Sequence, residues 1–121
     1  MKLGELKNAE FALSLLVQKE LPIRLAFELN SIIDDVDDNL KRLEDFRVKL
    51  VEKYGEKNDK GEIVVKKSKL GSFQKEYDEL LDSEIDLKPV SISLKVLEDL
   101  NIKMSIKNVD ALYKAGFISM E

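Results

Sequence analysis

The stretch Asp34 to Asp38 carries four carboxylates around one valine, and hard cations such as Ca²⁺ prefer carboxylate ligands. On a helix, however, Asp34 and Asp38 share a face opposite Val36, while Asp35 and Asp37 diverge from it. The stretch has no glycine for a binding loop, and its spacing is not that of an EF-hand. The pattern therefore favours a solvated helix face, or an acidic surface that binds a partner or mimics nucleic acid, over a metal site.

Two polar residues extend this acidic stretch. Asn39 falls where the apolar repeat of the surrounding helix expects an apolar residue, and such a polar residue usually sets register or pairing. Arg42 lies one turn after Asp38. We therefore predict a partner-binding surface made of Asp34, Asp35, Asp37, Asp38, Asn39 and Arg42.

Residues 56–75 are basic, with six lysines against three acidic residues. Lysines at 57, 60, 66, 67 and 69 could contact phosphate, but aromatic residues for base stacking occur only at the edges, at Tyr54 and Phe73. The whole chain has a net charge of −4, which disfavours nonspecific nucleic-acid binding. A solvated hairpin tip is therefore favoured over a nucleic-acid site.

The sequence contains no residue pattern that is specific for catalysis. The chain contains no histidine and no cysteine, so the commonest general base and thiolate chemistry are both absent. Ser68 beside Lys69 could form a nucleophile and base in principle, but adjacency in sequence says little about geometry. Gly55, Gly61 and Gly71 are too far apart to cradle phosphate. We predict no enzyme activity, no metal, no cofactor and no small-molecule substrate.

The run from Pro22 to Tyr54 has no internal glycine or proline and predicts one long amphipathic helix. Leu29, Val36, Leu43 and Leu50 recur every seven residues and form what we call the seam. Helix-supporting ion pairs four residues apart are expected between Asp37 and Lys41, Asp38 and Arg42, and Asp45 and Lys49. The aspartate-rich middle is where this helix would break if it broke anywhere.

Before the long helix, Met1 to Lys7 is expected to form a short edge strand or an arm. Asn8 would then cap a first helix that extends to Lys19, with Phe11 among its buried residues. After the long helix, Gly55 predicts a left-handed stop, and residues 58–61 predict a tight reversal. A short strand at residues 62–65 follows.

A second helix is expected after a cap at Ser72, running antiparallel to the second half of the long helix, with Phe73 and Tyr77 on its apolar face. Residues 83–93 alternate as an extended segment. Ser105 predicts the cap of a last helix with Tyr113 inward. Gly116 predicts a Schellman stop that leaves Phe117 in the core.

These elements predict a mainly α fold with minor β. It would be a long-helix antiparallel helical bundle or coiled-coil hairpin, with a short strand pair and a C-terminal helix. We expect one domain over residues 1–121. Within it, residues 1–82 would form the helical hairpin or bundle, with its hairpin loop at residues 55–66. Residues 83–121 would form the extended segment and the small C-terminal helix.

Four stretches carry a resemblance to a known family: GELKNAEFAL, LPIRLAFELN, VEKYGEKNDKGEI and EIDLKPVSIS. Together they resemble a small family, of uncharacterised role, from tailed phages and prophages of Gram-positive bacteria. The resemblance covers most of the chain, and its motifs are structural caps and turns. It implies a phage or prophage gene product and supplies no functional residue.

The expected function is binding. We expect a non-enzymatic phage protein that binds a protein partner, as an inhibitor or modulator of a bacterial host or defence protein. The alternative is a virion assembly, scaffolding or self-oligomerising component. The other helices barely match the length of the long one, so part of its apolar stripe should remain for another chain. The sequence has no signal-like or membrane-spanning stretch, so we expect the cytoplasm of the bacterial host.

Overall fold

The computed structural model describes residues 1–120, and the fold is mainly helical. The elements in chain order are α1 (Leu3–Leu16), α2 (Ile23–Tyr54), β1 (Gly55–Lys57), β2 (Ile63–Val65), α3 (Lys67–Leu81), β3 (Ile92–Ser93), α4 (Leu94–Asp99), α5 (Ile106–Lys114) and β4 (Ile118–Ser119). The predicted fold class is confirmed, since the long helix, the antiparallel strand pair and the C-terminal helix are all present.

The long helix α2 is continuous over 32 residues, and the aspartate-rich middle does not break it. At about 1.5 Å per residue it is about 48 Å long. Pro22 lies directly before the first helical residue, and its carbonyl accepts the first helical bond, from the amide of Ala26 at 2.9 Å. Proline suits this boundary because it has no N–H to satisfy.

The chain itself covers most of the seam. Leu29, Val36 and Leu43 are only 2 to 3% exposed. Helix α1 packs on α2, and α3 returns beside its C-terminal part, where the Lys53 ammonium lies 3.0 Å from the Glu76 carboxylate. With 14 and 15 residues, α1 and α3 nearly match the length of α2. The expectation that part of the apolar stripe remains uncovered therefore does not hold at these three positions, although Phe46 beside them is 48% exposed.

Helix α1 begins earlier than expected. Met1 and Lys2 alone are extended, and Lys2 forms an isolated antiparallel bridge with Glu84. The carboxylate of Glu5 accepts a hydrogen bond of 2.8 Å from the backbone amide of Lys2, which caps the helix at this point. Asn8 therefore lies inside the helix, and the predicted arm and Asn8 cap are wrong because Glu5 already satisfies the terminus.

The hairpin that follows α2 begins at Gly55, which pairs with Val65 in the antiparallel ladder. The predicted left-handed stop is wrong, because Gly55 is extended with φ of −90°. Glycine is needed here for space, since a Cβ atom would clash with the carbonyl of Val51. The side chain of Asn58 accepts bonds from the amides of Lys60 and Glu62, which closes the predicted reversal.

Only Lys66 separates β2 from α3, and this residue, at the N-cap position, lies six residues before the predicted cap at Ser72. Ser72 lies inside this helix, because the hairpin leads the chain straight into a helical turn from Lys66. Phe73 and Tyr77 are half-buried, and their stacked rings have centroids 6.2 Å apart. Their apolar face is as predicted, and only the start of the helix differs.

The C-terminal part, residues 83–120, packs α5 on α1 and pairs β3 with β4 in parallel. The predicted cap at Ser105 is confirmed, because its hydroxyl accepts a bond of 3.2 Å from the amide of Asn108. Phe117 is fully buried, as predicted. The parallel strand pair was not predicted, since two-residue strands leave no periodic signal.

Helix α1 lies at the centre of the fold, in contact with α2, α3 and α5, and Leu6 and Leu16 on it are fully buried. Two aromatic residues predicted to be buried are not. Phe11 is 65% exposed because it lies on the side of α1 away from Leu6 and Leu16. Tyr113 is 50% exposed because its neighbour Leu112 takes the inward position on α5.

Candidate partner-binding surfaces

The structure divides the six predicted partner-binding residues into two sets. Asp35, Asn39 and Arg42 lie along one side of α2 and line a shallow hollow of about 360 Å³ with the segment Glu84–Leu87. Asp34, Asp37 and Asp38 do not line this hollow, and their side chains are exposed elsewhere on α2. We refer to this feature as the acidic hollow.

The acidic hollow has an excess of negative charge, since Asp35, Glu84 and Asp86 face one guanidinium, that of Arg42. The Glu84 carboxylate also accepts a bond of 3.2 Å from the amino group of Met1. Among residues 1–120, no three carboxylates are placed so that they could hold a metal ion together. The hollow is therefore a polar surface with more carboxylates than cations.

Asn39 does not face another helix. Its side-chain amide donates a hydrogen bond of 2.8 Å to the carbonyl of Asp35, one turn back on the same helix. The side chain is half-buried beside the segment Glu84–Leu87. Asn39 therefore hydrogen-bonds to the backbone of its own helix, and its neighbour in space is the non-helical segment Glu84–Leu87.

The three predicted ion pairs four residues apart on α2 are absent from the part of the chain that the structure describes. The ion pair that α2 does contain joins Arg47 to Glu44, three residues apart, through hydrogen bonds of 2.9 and 2.6 Å. The Lys49 ammonium instead lies 5.2 Å from the centre of the Phe46 ring. The predicted pairs fail because exposed ion pairs gain little over hydration. Charges between residues 34 and 45 therefore stay free of internal ion pairs, apart from that of Glu44.

The shifts in pKa that the structure produces come from partners at the surface. The Arg47 guanidinium beside Glu44 holds the pKa of that carboxyl below its ordinary value. The hydroxyl of Tyr54 and then the ammonium of Lys53 lower the pKa of Glu76. For Glu44 and Glu76 these shifts favour the charged carboxylate, which is already the favoured form at neutral pH.

The basic hairpin is partly neutralised by its own chain. The Lys66 and Lys69 ammonium groups lie 2.7 and 3.8 Å from the Glu56 carboxylate, and Lys66 lowers the pKa of that carboxyl. Lys57 and Lys60 lie at the exposed tip. The hairpin thus presents fewer free cations than its sequence suggests.

A second surface lies in residues 83–120 and is apolar. It is a groove of about 360 Å³, and we call it the C-terminal groove. Its lining residues are Leu94, Met104, Ile106, Val109, Asp110, Tyr113, Ile118 and Met120. Ile106 is 90% exposed and Met120 is 71% exposed. Sequence reasoning missed this groove, although Ile106 and Tyr113 are two helical turns apart and therefore share a face.

Other exposed apolar residues lie far from this groove in sequence. Ile23 and Phe27, one turn apart at the start of α2, are 89 and 74% exposed. Phe46, at a position adjacent to the seam, is 48% exposed. Ile23 and Phe27 therefore form free apolar surface away from the seam, whereas Phe46 leaves apolar surface exposed beside the seam.

The total accessible surface is large for the mass. It is 8574 Å² for a chain of 13.8 kDa, whereas a compact monomer of this mass exposes about 6,600 Å². The excess is about 1,900 Å², and a standard protein interface buries about 800 Å² on each partner. The fold is therefore less compact than a typical monomer of its mass, since it is built along the 32-residue helix α2.

Comparison with protein-family models, curated proteins and solved structures finds no match to this chain. Within residues 1–120, no helix combines the length and the apolar character needed to cross a membrane.

Proposed function

We propose that this chain is a phage or prophage protein that acts without catalysis, by binding a protein of the bacterial host. Its target would be a host enzyme or a defence complex that it inhibits or modulates, in the cytoplasm of the bacterial cell. The observation that carries this proposal is the row of exposed carboxylates on α2, Asp34, Asp37 and Asp38, which make no ion pair within residues 1–120.

The distribution of polar groups supports the same proposal. Asp34 and Asp38 are exposed on α2 and make no ion pair within the described chain. The acidic hollow beside them adds Asp35, Glu84 and Asp86. Unpaired charges on a rigid helix steer and orient a partner of opposite charge at little conformational cost. A basic surface on the target would complement this side of α2.

The proposed origin rests on the resemblance described above. One of the four resembling stretches, EIDLKPVSIS at residues 84–93, supplies Glu84 to Leu87 of the acidic hollow. Another, LPIRLAFELN at residues 21–30, begins the long helix. The stretches that carry the resemblance therefore include part of the surface to which we assign binding.

The test is capture of a partner from lysates of the bacterial host, infected and uninfected, by the immobilised protein. The variant with Asp34→Lys and Asp38→Lys reverses two exposed charges of the acidic stretch. The matched control, Glu98→Lys with Asp99→Lys, makes the same change in net charge at the exposed end of α4. We expect the wild type and the control to retain one protein in stoichiometric amount, and the Asp34/Asp38 variant to lose it.

Failure to retain any stoichiometric protein from either lysate would overturn the proposal of a host target. Equal retention by all three proteins would exclude the acidic stretch as the contact. The alternative function is self-association, as in virion assembly or scaffolding, and the exposed C-terminal groove favours it specifically.

A further inference from the structure

We propose that the outer edge of β2 binds an extended acidic segment of another protein, which adds a third strand to the hairpin. We call this surface the basic edge, and it consists of Lys60, Ile63, Val64, Val65, Lys66 and Lys67. The inference goes beyond the proposed function. The basic edge lies about 25 Å further along α2 than the acidic stretch, and its charge is the opposite.

The backbone of β2 has an unpaired side. The amide of Asn58 donates a hydrogen bond of 2.8 Å to the carbonyl of Glu62, so these two residues form a hydrogen-bonded pair. Bonded and non-bonded pairs alternate along an antiparallel ladder, so Ile63 and Val65 belong to non-bonded pairs. Their amides and carbonyls therefore point away from β1, and no other part of residues 1–120 forms a backbone hydrogen bond with them.

These four groups specify the conformation of the occupant. The amide and carbonyl of Ile63 recur at Val65, about 7 Å further along the strand. An extended polypeptide presents amides and carbonyls at the same spacing, and pairing at a free sheet edge is a common mode of peptide recognition. The basic edge therefore matches an extended chain rather than a helix.

The side chains of β2 add apolar contacts on both faces of the hairpin. Ile63 is 44% exposed and Val64 is 43% exposed. Because neighbouring side chains in a strand point to opposite faces, these two residues lie on different faces of the hairpin. A bound strand with apolar residues in its middle would contact both through cross-strand pairs.

The charge around β2 specifies an acidic occupant. Residues 56–75 carry six lysines against three acidic residues, in a chain whose net charge is −4. Lys66 and Lys69 share the single carboxylate of Glu56, and Lys60 and Lys67 make no ion pair within residues 1–120. Acidic residues on both sides of an apolar middle would complement the lysines on both sides of β2.

The same lysines select against a second copy of this hairpin. Lysine beside an edge strand opposes pairing between identical edges, because the like charges repel. Nucleic acid matches the lysines but has no row of amides and carbonyls for the free edge. The hairpin also offers few aromatic residues for base stacking, since Tyr54 and Phe73 lie only at its ends.

The first test measures the binding of fluorescein-labelled peptides by fluorescence anisotropy. The probe is the synthetic peptide EEVTVEE, and we expect saturable binding with a Kd below about 1 mM. The peptide KKVTVKK, with reversed charges, should not bind. EEVTVEE with its three central residues N-methylated keeps the charges but loses amide donors, and should bind at least about tenfold more weakly. Failure of EEVTVEE to bind, or equal binding of all three peptides, would overturn the inference.

A pair of charge variants locates the contact. Lys60→Glu with Lys67→Glu changes two exposed lysines on either side of β2, and should weaken the binding of EEVTVEE at least about tenfold. The matched control is Lys95→Glu with Lys103→Glu, which makes the same change in net charge at exposed lysines of the C-terminal part. We expect the control to bind like the wild type. Equal weakening by both variants would show that only the net charge of the chain matters, and would overturn the assignment to β2.

Hydrogen exchange measured by NMR tests the backbone pairing directly. In the free protein, the amides of Ile63 and Val65 should exchange faster than that of Val64, which faces Glu56 across the ladder. Saturating EEVTVEE should slow the exchange of Ile63 or Val65 at least about tenfold and leave Val64 little changed. Protection of both amides in the free protein, or no added protection in the complex, would overturn the inference.

Oligothymidine is the probe for the other class of occupant. Displacement of EEVTVEE by a lower concentration of oligothymidine would assign the lysines to nucleic acid and overturn the inference. The Asp34→Lys and Asp38→Lys variant should bind EEVTVEE at least as well as the wild type, so the two proposals fail separately. Peptide binding without capture of a host protein removes only the proposed function, and capture without peptide binding removes only this inference.

Discussion

The backbone amide of Phe117 donates a hydrogen bond of 2.8 Å to the carbonyl of Leu112, across the end of α5. Gly116 stands between them with φ of +86°, and its amide donates to the carbonyl of Tyr113. These two bonds form the predicted Schellman motif. They turn the chain so that Phe117 enters the core, fully buried, and the next two residues reach β3.

Gly116→Ala should therefore destabilise the fold by about 2 kcal/mol, because alanine is strained at this φ. The new Cβ atom would also lie 2.9 Å from Cγ of Pro89. The measurement is the free energy of unfolding from urea titration, followed by circular dichroism.

Two other glycines separate the effect of strain at positive φ from the effect of the contact with Pro89. Gly61→Ala, at φ of +78° with open space around it, should cost about 1 kcal/mol from strain alone. Gly71→Ala, inside α3 with no atom near its Cβ position, should raise stability by about 0.5 to 1 kcal/mol. Equal effects at Gly116 and Gly61 would show that contact with Pro89 contributes nothing.

Leu43→Ala tests whether the seam is covered by the chain itself. Leu43 is 2% exposed, so its truncation leaves a cavity and should cost about 3 kcal/mol. The same change at Leu70, which is 48% exposed on α3, should stay within about 0.5 kcal/mol. Unfolding in urea at two protein concentrations measures both. A small cost at Leu43 would mean that solvent reaches the seam.

Asn39→Leu should raise stability by about 1 kcal/mol, because leucine is a better helix former and could pack on Ile85 and Leu87. Asn39→Ala supplies the gain in helix propensity without the packing and should raise stability by about 0.5 kcal/mol. Neither change should alter the sedimentation of the protein, since Asn39 faces its own chain. A change of mass with Asn39→Leu would instead place a second helix against this position.

Glu76→Gln should destabilise the protein at pH 7 and have little effect at pH 3. Tyr54 first and Lys53 second lower the pKa of Glu76 below its ordinary 4.5, so the charged form is favoured in the folded state. A lowered pKa gives stability that is present above pH 4.5 and is lost as the pH falls through the folded value. Urea midpoints at the two pH values measure this difference.

The control is Glu79→Gln on the same helix, whose carboxylate is exposed and has no ion pair within residues 1–120. It should show no such pH dependence in its effect. A Glu76→Gln effect that persists at pH 3 would mean that the side chain acts through packing and not through its charge.

The sequence correctly predicted those elements that depend on a single local signal, such as helix propensity or a capping residue. The long helix follows from a run free of glycine and proline, and Ser105 and Gly116 follow from cap chemistry that depends on a few neighbouring residues. The start of α1 was mispredicted because two local caps compete there: Glu5 caps the helix at Lys2, so Asn8 lies inside it. The start of α3 was mispredicted because the helix begins at the end of the hairpin, after Lys66, and not at a serine cap.

The candidate surfaces show the same division. Sequence alone identified the exposed acidic stretch, because charge and helical spacing place Asp34 and Asp38 on the outside of α2. It could not show that Asp35, Asn39 and Arg42 meet Glu84–Leu87, since that contact joins segments more than 40 residues apart. It also predicted Tyr113 as core, because apolar spacing does not tell which neighbour covers a face.

By itself, then, the sequence determined a mainly helical chain, the long helix and its seam, and the C-terminal stop at Gly116, all of which depend on residues within a few turns of one another. Only the tertiary structure decided which apolar residues stay in solvent. Helices α1 and α3 use their apolar faces to cover the seam from both ends, and α5 uses Leu112 to bind α1. Ile106, Tyr113 and Met120 remain exposed because no segment within residues 1–120 packs over the groove that they line.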